Sequence, residues 1–119
     1  MNKKYLTLAL IIGATIIING CGIHSGYMSN SAALGEANFS YSKMNAKGFS
    51  SAEYIFGFGG LDKQNLVNAA KQNLLANNPL EANQALANVT VNFKHEFYLL
   101  IYTKVNCIVG ADIVTFNNN

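Results

Sequence analysis

Ala85-Leu86-Ala87-Asn88-Val89-Thr90-Val91-Asn92-Phe93 is the stretch whose reading decides the fold. Ala85, Ala87, Val89, Val91 and Phe93 share one parity. Leu86, Asn88, Thr90 and Asn92 share the other. Successive side chains of a strand point to opposite faces, so a period of two predicts a half-buried β-strand. Its apolar face needs a cover, and the segment before it supplies one. Leu66, Ala69 or Ala70, and Leu74 recur at helical spacing, with Val67 and Leu75 beside them and a polar face of Gln64, Asn65, Asn68, Lys71, Gln72 and Asn73. Asp62 is a good N-cap because its carboxylate can accept from first-turn amides. Leu61 and Leu66 then take the two positions of a hydrophobic staple. Asn77-Asn78-Pro79 stops the helix, since proline drives the preceding residue out of helical dihedrals.

Beyond the deciding strand, Lys94-His95-Glu96 is a polar interruption that reads as a hairpin tip. Residues 97–102 are apolar on both parities, as expected of a buried strand or a strand bend. Val105, Cys107, Val109, Ala111 and Ile113 alternate again. Before the helix, Ala37, Phe39 and Tyr41 alternate with Asn38, Ser40 and Ser42. Asn45-Ala46-Lys47-Gly48 reads as a turn. An aromatic-rich second strand over 49–58 follows, with a bulge expected near Ser50-Ser51. The expected domain is α+β, a two-layer sandwich. One helix packs on a four- to five-stranded, mainly antiparallel sheet in the order β-β-α-β-β, after an N-terminal signal helix.

The chain is short: 119 residues, 50% hydrophobic and 12% charged. That bounds it to one small domain. It has eight Lys and no Arg. Without Lys3 and Lys4 the remainder holds six Lys against six acids. A neutral, Arg-free body is a poor nucleic-acid binder, because phosphate affinity comes from clustered cations.

Lys3-Lys4 opens a cationic start, residues 5–18 are an uncharged apolar run, and Asn19-Gly20-Cys21 follows. This is the build of a secretory signal peptide. The run is shorter than the roughly 20 residues of a spanning helix. Ile18-Asn19-Gly20-Cys21 resembles the lipobox of bacterial lipoproteins: an aliphatic residue, a variable position, Gly or Ala, then Cys. The resemblance implies cleavage before Cys21 and acylation of its sulfur. Two or three acyl chains, each buried methylene contributing about 0.8 kcal/mol, hold a soluble domain on a membrane. Gly22 in place of Asp leaves outer-membrane placement open. The expected organisation is a signal peptide over 1–20, lipidated Cys21 with a flexible tether over 21–35, one domain over 36–116 and a disordered tail over 117–119.

Val91-Asn92-Phe93-Lys94, Phe97-Tyr98-Leu99-Leu100-Ile101-Tyr102 and Ile108-Val109-Gly110 are similar to the C-terminal half of the TRL-like family of small bacterial lipoproteins. Gly59-Gly60, the helix to Pro79 and Ala111-Asp112-Ile113-Val114 resemble uncharacterised lipoproteins carrying a domain of unknown function. The likeness covers roughly residues 55–116. It implies an envelope lipoprotein and supplies no catalytic residues.

Candidate chemistry is sparse. Gly57, Gly59 and Gly60 lie between a strand and a helix N-terminus, a setting that can receive a phosphate. The dinucleotide fingerprint, however, needs a parallel βαβ unit. This corner is the candidate ligand site. His24 and His95 are the two histidines, too few for a metal site. Cys107 is the one cysteine left in the folded part and reads as buried and inert. Glu53 and Asp112 are single carboxylates without an evident partner. Asparagine, at 17 residues, reads as polar solubilisation of strand and helix exteriors. The expectation is a lipid-anchored, non-enzymatic envelope protein without metal or cofactor. It would bind another envelope protein or its own copies. The alternative is a module that binds a small molecule or glycan.

Overall fold

The alternations at 85–93 and 105–113 become the two central strands of a sheet, but a register shift between Ala87 and Thr90 reverses the first of them, so that Leu86, and not Ala85 or Ala87, joins Val89, Val91 and Phe93 against the core. The computed structural model describes residues 3–17, 22–29, 32, 34, 38–99 and 101–117. In chain order they form α1 (Lys3–Ile17), β1 (Gly22–Met28), β2 (Phe39–Ile55), α2 (Lys63–Asn77), β3 (Gln84–Tyr98) and β4 (Tyr102–Phe116). The sheet has four strands in the order β1-β3-β4-β2, and each neighbouring pair is antiparallel. α2 lies on one face, over β2 and β4. The result is a mostly antiparallel sheet with one helix packed on it.

The core forms where the alternating sets meet the helix. Val89, Val91 and Phe93 of β3, Val105, Cys107, Val109, Ala111 and Ile113 of β4, and Ala46 and Ala52 of β2 point to the inner face. Leu66, Val67, Ala70 and Leu74 come down from α2. Fully burying a Leu or Val side chain contributes about 1.5–3 kcal/mol, so these residues carry the domain. The helix caps fall where the sequence places them. Asp62 accepts from the Asn65 amide at 2.7 Å, and the Asn78 amide donates to the Leu74 carbonyl.

Several expectations need correction. Residues 22–28, read as the start of a tether, are strand β1. β1 pairs along β3, with Gly22 opposite Glu96 and Met28 opposite Thr90. Its two glycines, Ser25 and His24 interrupt any apolar alternation, and pairing with the open edge of β3 makes the strand. Asn45-Ala46-Lys47-Gly48 is not a turn. β2 runs through it as one long strand, with register shifts between Tyr41 and Lys43 and between Lys43 and Ala46. The bulge lies there, not at Ser50-Ser51, and Asn45 takes a φ of 56°. The hairpin expected over 36–58 is therefore a single strand, and the strand count and order differ from the sequence reading. Lys94-His95-Glu96 lies inside β3, and the chain turns between β3 and β4 at Leu99 and Ile101. Of the two alternatives for residues 97–102, the hairpin end is the bend and not the buried strand: Phe97, Tyr98, Leu99 and Ile101 are exposed there. In the expected tail, the Asn117 amide donates to the Asn38 carbonyl at 2.8 Å. Residues 118–119 lie outside the described residues.

Gly48 has a different task from the turn it suggests. A Cβ there would collide with the Ala70 carbonyl oxygen and the Leu74 backbone. Glycine lets the helix backbone approach the sheet at this point, and the Phe49 amide donates to Asn73 Oδ1 beside it.

Candidate functional site

The outer face of the sheet, away from α2, is built by the other parity of each strand. Register sets its side chains in rows across the strands. Ser51, Asn106, Lys94 and His24 form one row. Glu53, Lys104 and Glu96 form the next, alternating in sign. Ile55, Tyr102 and Tyr98 form the row after that. Opposite charges on facing strands support a sheet by a few tenths of a kcal/mol to about 1 kcal/mol per pair.

Lys94 Nζ sits 2.7 Å from Glu96 Oε1. The hydrogen bond between them holds the Lys94 ammonium charged to higher pH and lowers the Glu96 carboxyl. Tyr98 donates to Glu96 Oε2 at 3.4 Å, and its ring lies 5.6 Å from that of Tyr102. The neighbouring Glu53 carboxylate, on the strand paired with β4, pushes the Tyr102 pKa up. Phe49, Ser51, Lys94, Glu96, Asn106 and Ile108 line an open depression of about 430 Å³ on this face. An aromatic edge, an amide, a hydroxyl and an ion pair around one hollow can hold a polar ligand by stacking and hydrogen bonds.

Asp112 carries two hydrogen bonds that the sequence reading did not anticipate. Asp112 Oδ1 accepts from the Asn45 amide at 2.8 Å and its Oδ2 from Asn88 Nδ2 at 2.9 Å. Asn45 and Asn88, on the strands flanking β4, both have positive φ and both lie at register shifts. One carboxylate thus clamps two facing bulges. The Asn88 bond and then the Asn45 bond lower its pKa. Two asparagines with turn chemistry and an acid far along the chain are the only trace of this in the sequence.

The candidate ligand corner has the expected backbone. Gly57, Gly59 and Gly60 take φ of 78°, 96° and 72°, which disfavour any Cβ. A Cβ at Gly60 would also stand 2.7 Å from the Tyr54 ring, whose hydroxyl donates to the Leu61 carbonyl. The Asp62 carboxylate already occupies a first-turn amide of α2. An anion arriving here would meet that charge.

Cys107 is fully buried on β4, and burial pushes its thiol pKa up. His95 is half-buried on the inner face, stacked on Phe97 at 6.2 Å. His24 is exposed on β1 opposite Lys94. Among the described residues no group of three or more His, Cys, Asp or Glu is placed to hold a metal. Cys21, Ile18, Asn19 and Gly20, the lipidation residues of the sequence reading, lie outside the described residues.

Two turns far apart in the chain meet at one end of the sheet. The Phe56 amide donates to the Ile101 carbonyl at 2.7 Å. Phe56, Phe58, Leu99 and Ile101 stand exposed there. An apolar run on both parities looks the same in a buried strand and on a bend, the two alternatives that residues 97–102 leave open in the sequence.

No curated protein and no solved structure matches the chain. A match to a family of unknown function covers residues 1–118, well beyond the 55–116 on which the sequence resemblance rests, and by it the chain belongs to that family, DUF6567.

Proposed function

We propose that this protein is a lipid-anchored component of a bacterial cell envelope, cleaved before Cys21, whose domain works by binding instead of catalysis. The carrying observation is the leader. α1 is apolar on every side, with Tyr5, Leu8, Leu10, Ile11 and Ile12 all exposed. Its described residues reach Ile17, and the sequence continues as Ile18-Asn19-Gly20-Cys21. A helix that is apolar all round is stable only in a non-aqueous setting. At 15 residues it is about 22 Å long. Among the described residues no helix is long and apolar enough to cross a membrane. Transient passage followed by removal fits such a segment. The TRL-like resemblance of the β3–β4 region belongs to the same reading.

The binding role draws support from how the reactive side chains are used. Asp62 caps a helix, Asp112 clamps two bulges, and Cys107 packs in the core. The partner on this reading is an envelope protein or a second copy of the chain. Labelling cells with a fatty-acid probe tests the anchor. Label should enter the wild-type protein and be lost in Cys21→Ser, with the unprocessed precursor accumulating. A labelled Cys21→Ser product, or a wild-type product retaining Met1, defeats the reading.

The depression on the outer face favours a second reading, a module that holds a glycan or other small polar molecule. A thermal-shift screen separates the two. A ligand at a hundredfold excess over its Kd stabilises the folded state by about 2.7 kcal/mol. The shift should vanish in Asn106→Ala, and a flat screen removes this reading.

A further inference from the structure

We propose that the end of the sheet formed by the 55–61 corner and the β3–β4 turn is the surface on which the anchored domain rests, with its apolar tips set into the lipid interface. This rests on the reading of Cys21 as the acylated terminus. The tips are unusually bare for a water-facing surface. Phe58 is 81% exposed, Phe56 68%, Leu99 61% and Ile101 45%. They belong to two turns that the Phe56–Ile101 hydrogen bond holds together, so they form one crest.

Polarity is graded away from the crest. The next row carries Tyr98, whose hydroxyl donates to Glu96, and Tyr102, whose ring lies 5.6 Å from that of Tyr98. Tyrosine favours the headgroup level of a bilayer for this reason: an apolar body with a wet end. The row after that is Glu53, Lys104 and Glu96. With about 3.3 Å of rise per residue, tips to charges spans roughly 10 Å. Shallow interfacial insertion of a polypeptide reaches about 5–10 Å. The tips and tyrosines therefore fit within the interface, and the charges stay in water.

Chain connectivity selects lipid over other occupants. β1 begins at Gly22, opposite Glu96, and runs away from the crest. The residue before it in sequence is Cys21. The Tyr98 row is two residues from the Gly22 position, about 7 Å. With β1 paired to β3, no slack separates the acylated residue from the sheet. Acyl chains leaving position 21 therefore start beside the crest, and the crest meets whatever surface those chains enter.

The chain has no tryptophan, so one can be introduced as a reporter of depth. The test uses the mature acylated protein in vesicles of phosphatidylethanolamine and phosphatidylglycerol, with and without brominated acyl chains. Phe58→Trp should shift to the blue and lose at least about half of its emission to bromine, as a residue at interfacial depth does. Ser40→Trp, exposed at the opposite end of the sheet, should be unaffected. Leu99→Trp repeats the crest measurement from the other turn, should Phe58→Trp disturb the glycine corner. Intact mass reports acylation independently. Acylated protein retained on vesicles with an unquenched crest overturns this inference and leaves the anchor standing. A blue-shifted, unquenched crest with a doubled particle mass assigns it to a second copy and also overturns the inference. A Cys21 without acyl mass removes the anchor reading and this inference with it.

Discussion

At the residue scale, Asp112 and Cys107 illustrate how position defines a side chain's role. Asp112 is a carboxylate between two bulges, bonded to the Asn45 amide and the Asn88 side chain. Asp112→Ala should cost about 1–2 kcal/mol, the range for hydrogen bonds to a charged acceptor that water can partly replace. Its pKa is lowered in the folded state. The stability it adds is therefore complete above the ordinary carboxylate range and disappears as pH falls through the depressed value. Urea midpoints taken from about pH 5 down to about pH 2 should fall more steeply for wild type than for Asp112→Asn. Parallel curves would show that the clamp is not charge-assisted. Cys107 is buried with a raised pKa, and thiolate is the reactive form. With Cys21 acylated, the native protein should not react with Ellman's reagent, and one thiol should appear in urea. A fast-reacting thiol in the folded protein would mean an exposed Cys107 or an unmodified Cys21.

At the scale of elements, α2 is the part most legible from sequence. Its apolar spacing, its Asp62 cap and its stop before Pro79 are all local, and local signals survive into the fold. Asp62→Ala should lower stability by about 1 kcal/mol, as loss of an N-cap does. Thermal melts of the two proteins measure it. The seat of the helix was not legible. Gly48 looks like a turn residue, yet it is where the Ala70 and Leu74 backbone comes down on β2. Gly48→Val should cost about 2–4 kcal/mol, because backbone must move to admit the side chain. On a domain of this size that lowers Tm by on the order of 10–20 °C. A melt within a degree or two of wild type would show that α2 is not held against β2 as described. Asn45 and Asn88 follow the same pattern. Both residues accept positive φ, so the sequence marks them for turns, and tertiary pairing turned them into bulges.

At the scale of the whole molecule, β1 changes how the domain is placed. On the proposed reading of Cys21 as an acylated terminus, a tether of 14 residues would let the domain roam from the membrane. A paired strand beginning at Gly22 ties it down. β1 also covers an edge of β3, and Tyr27 sets its ring 6.3 Å from Phe93. A chain starting at residue 36 should therefore be less stable than one starting at residue 22, and its bare β3 edge should promote self-association. Urea midpoints and sedimentation of the two proteins decide this. Equal midpoints and monomers in both would return 22–28 to the status of a tether.

The sequence alone determined the inward set of β4, that of β3 from Val89 to Phe93, the span and caps of α2, and the apolar run ahead of Cys21. Each depends on neighbours within one or two turns or along one strand, and side-chain periodicity records such dependence directly. Only the tertiary structure decided that 22–28 is a strand, that Gly48 seats a helix, that Asp112 joins two bulges, and that two apolar turns meet beside Gly22. Those outcomes depend on partners dozens of residues away. An asparagine, a glycine or an apolar run has the same local preference whichever partner it finds.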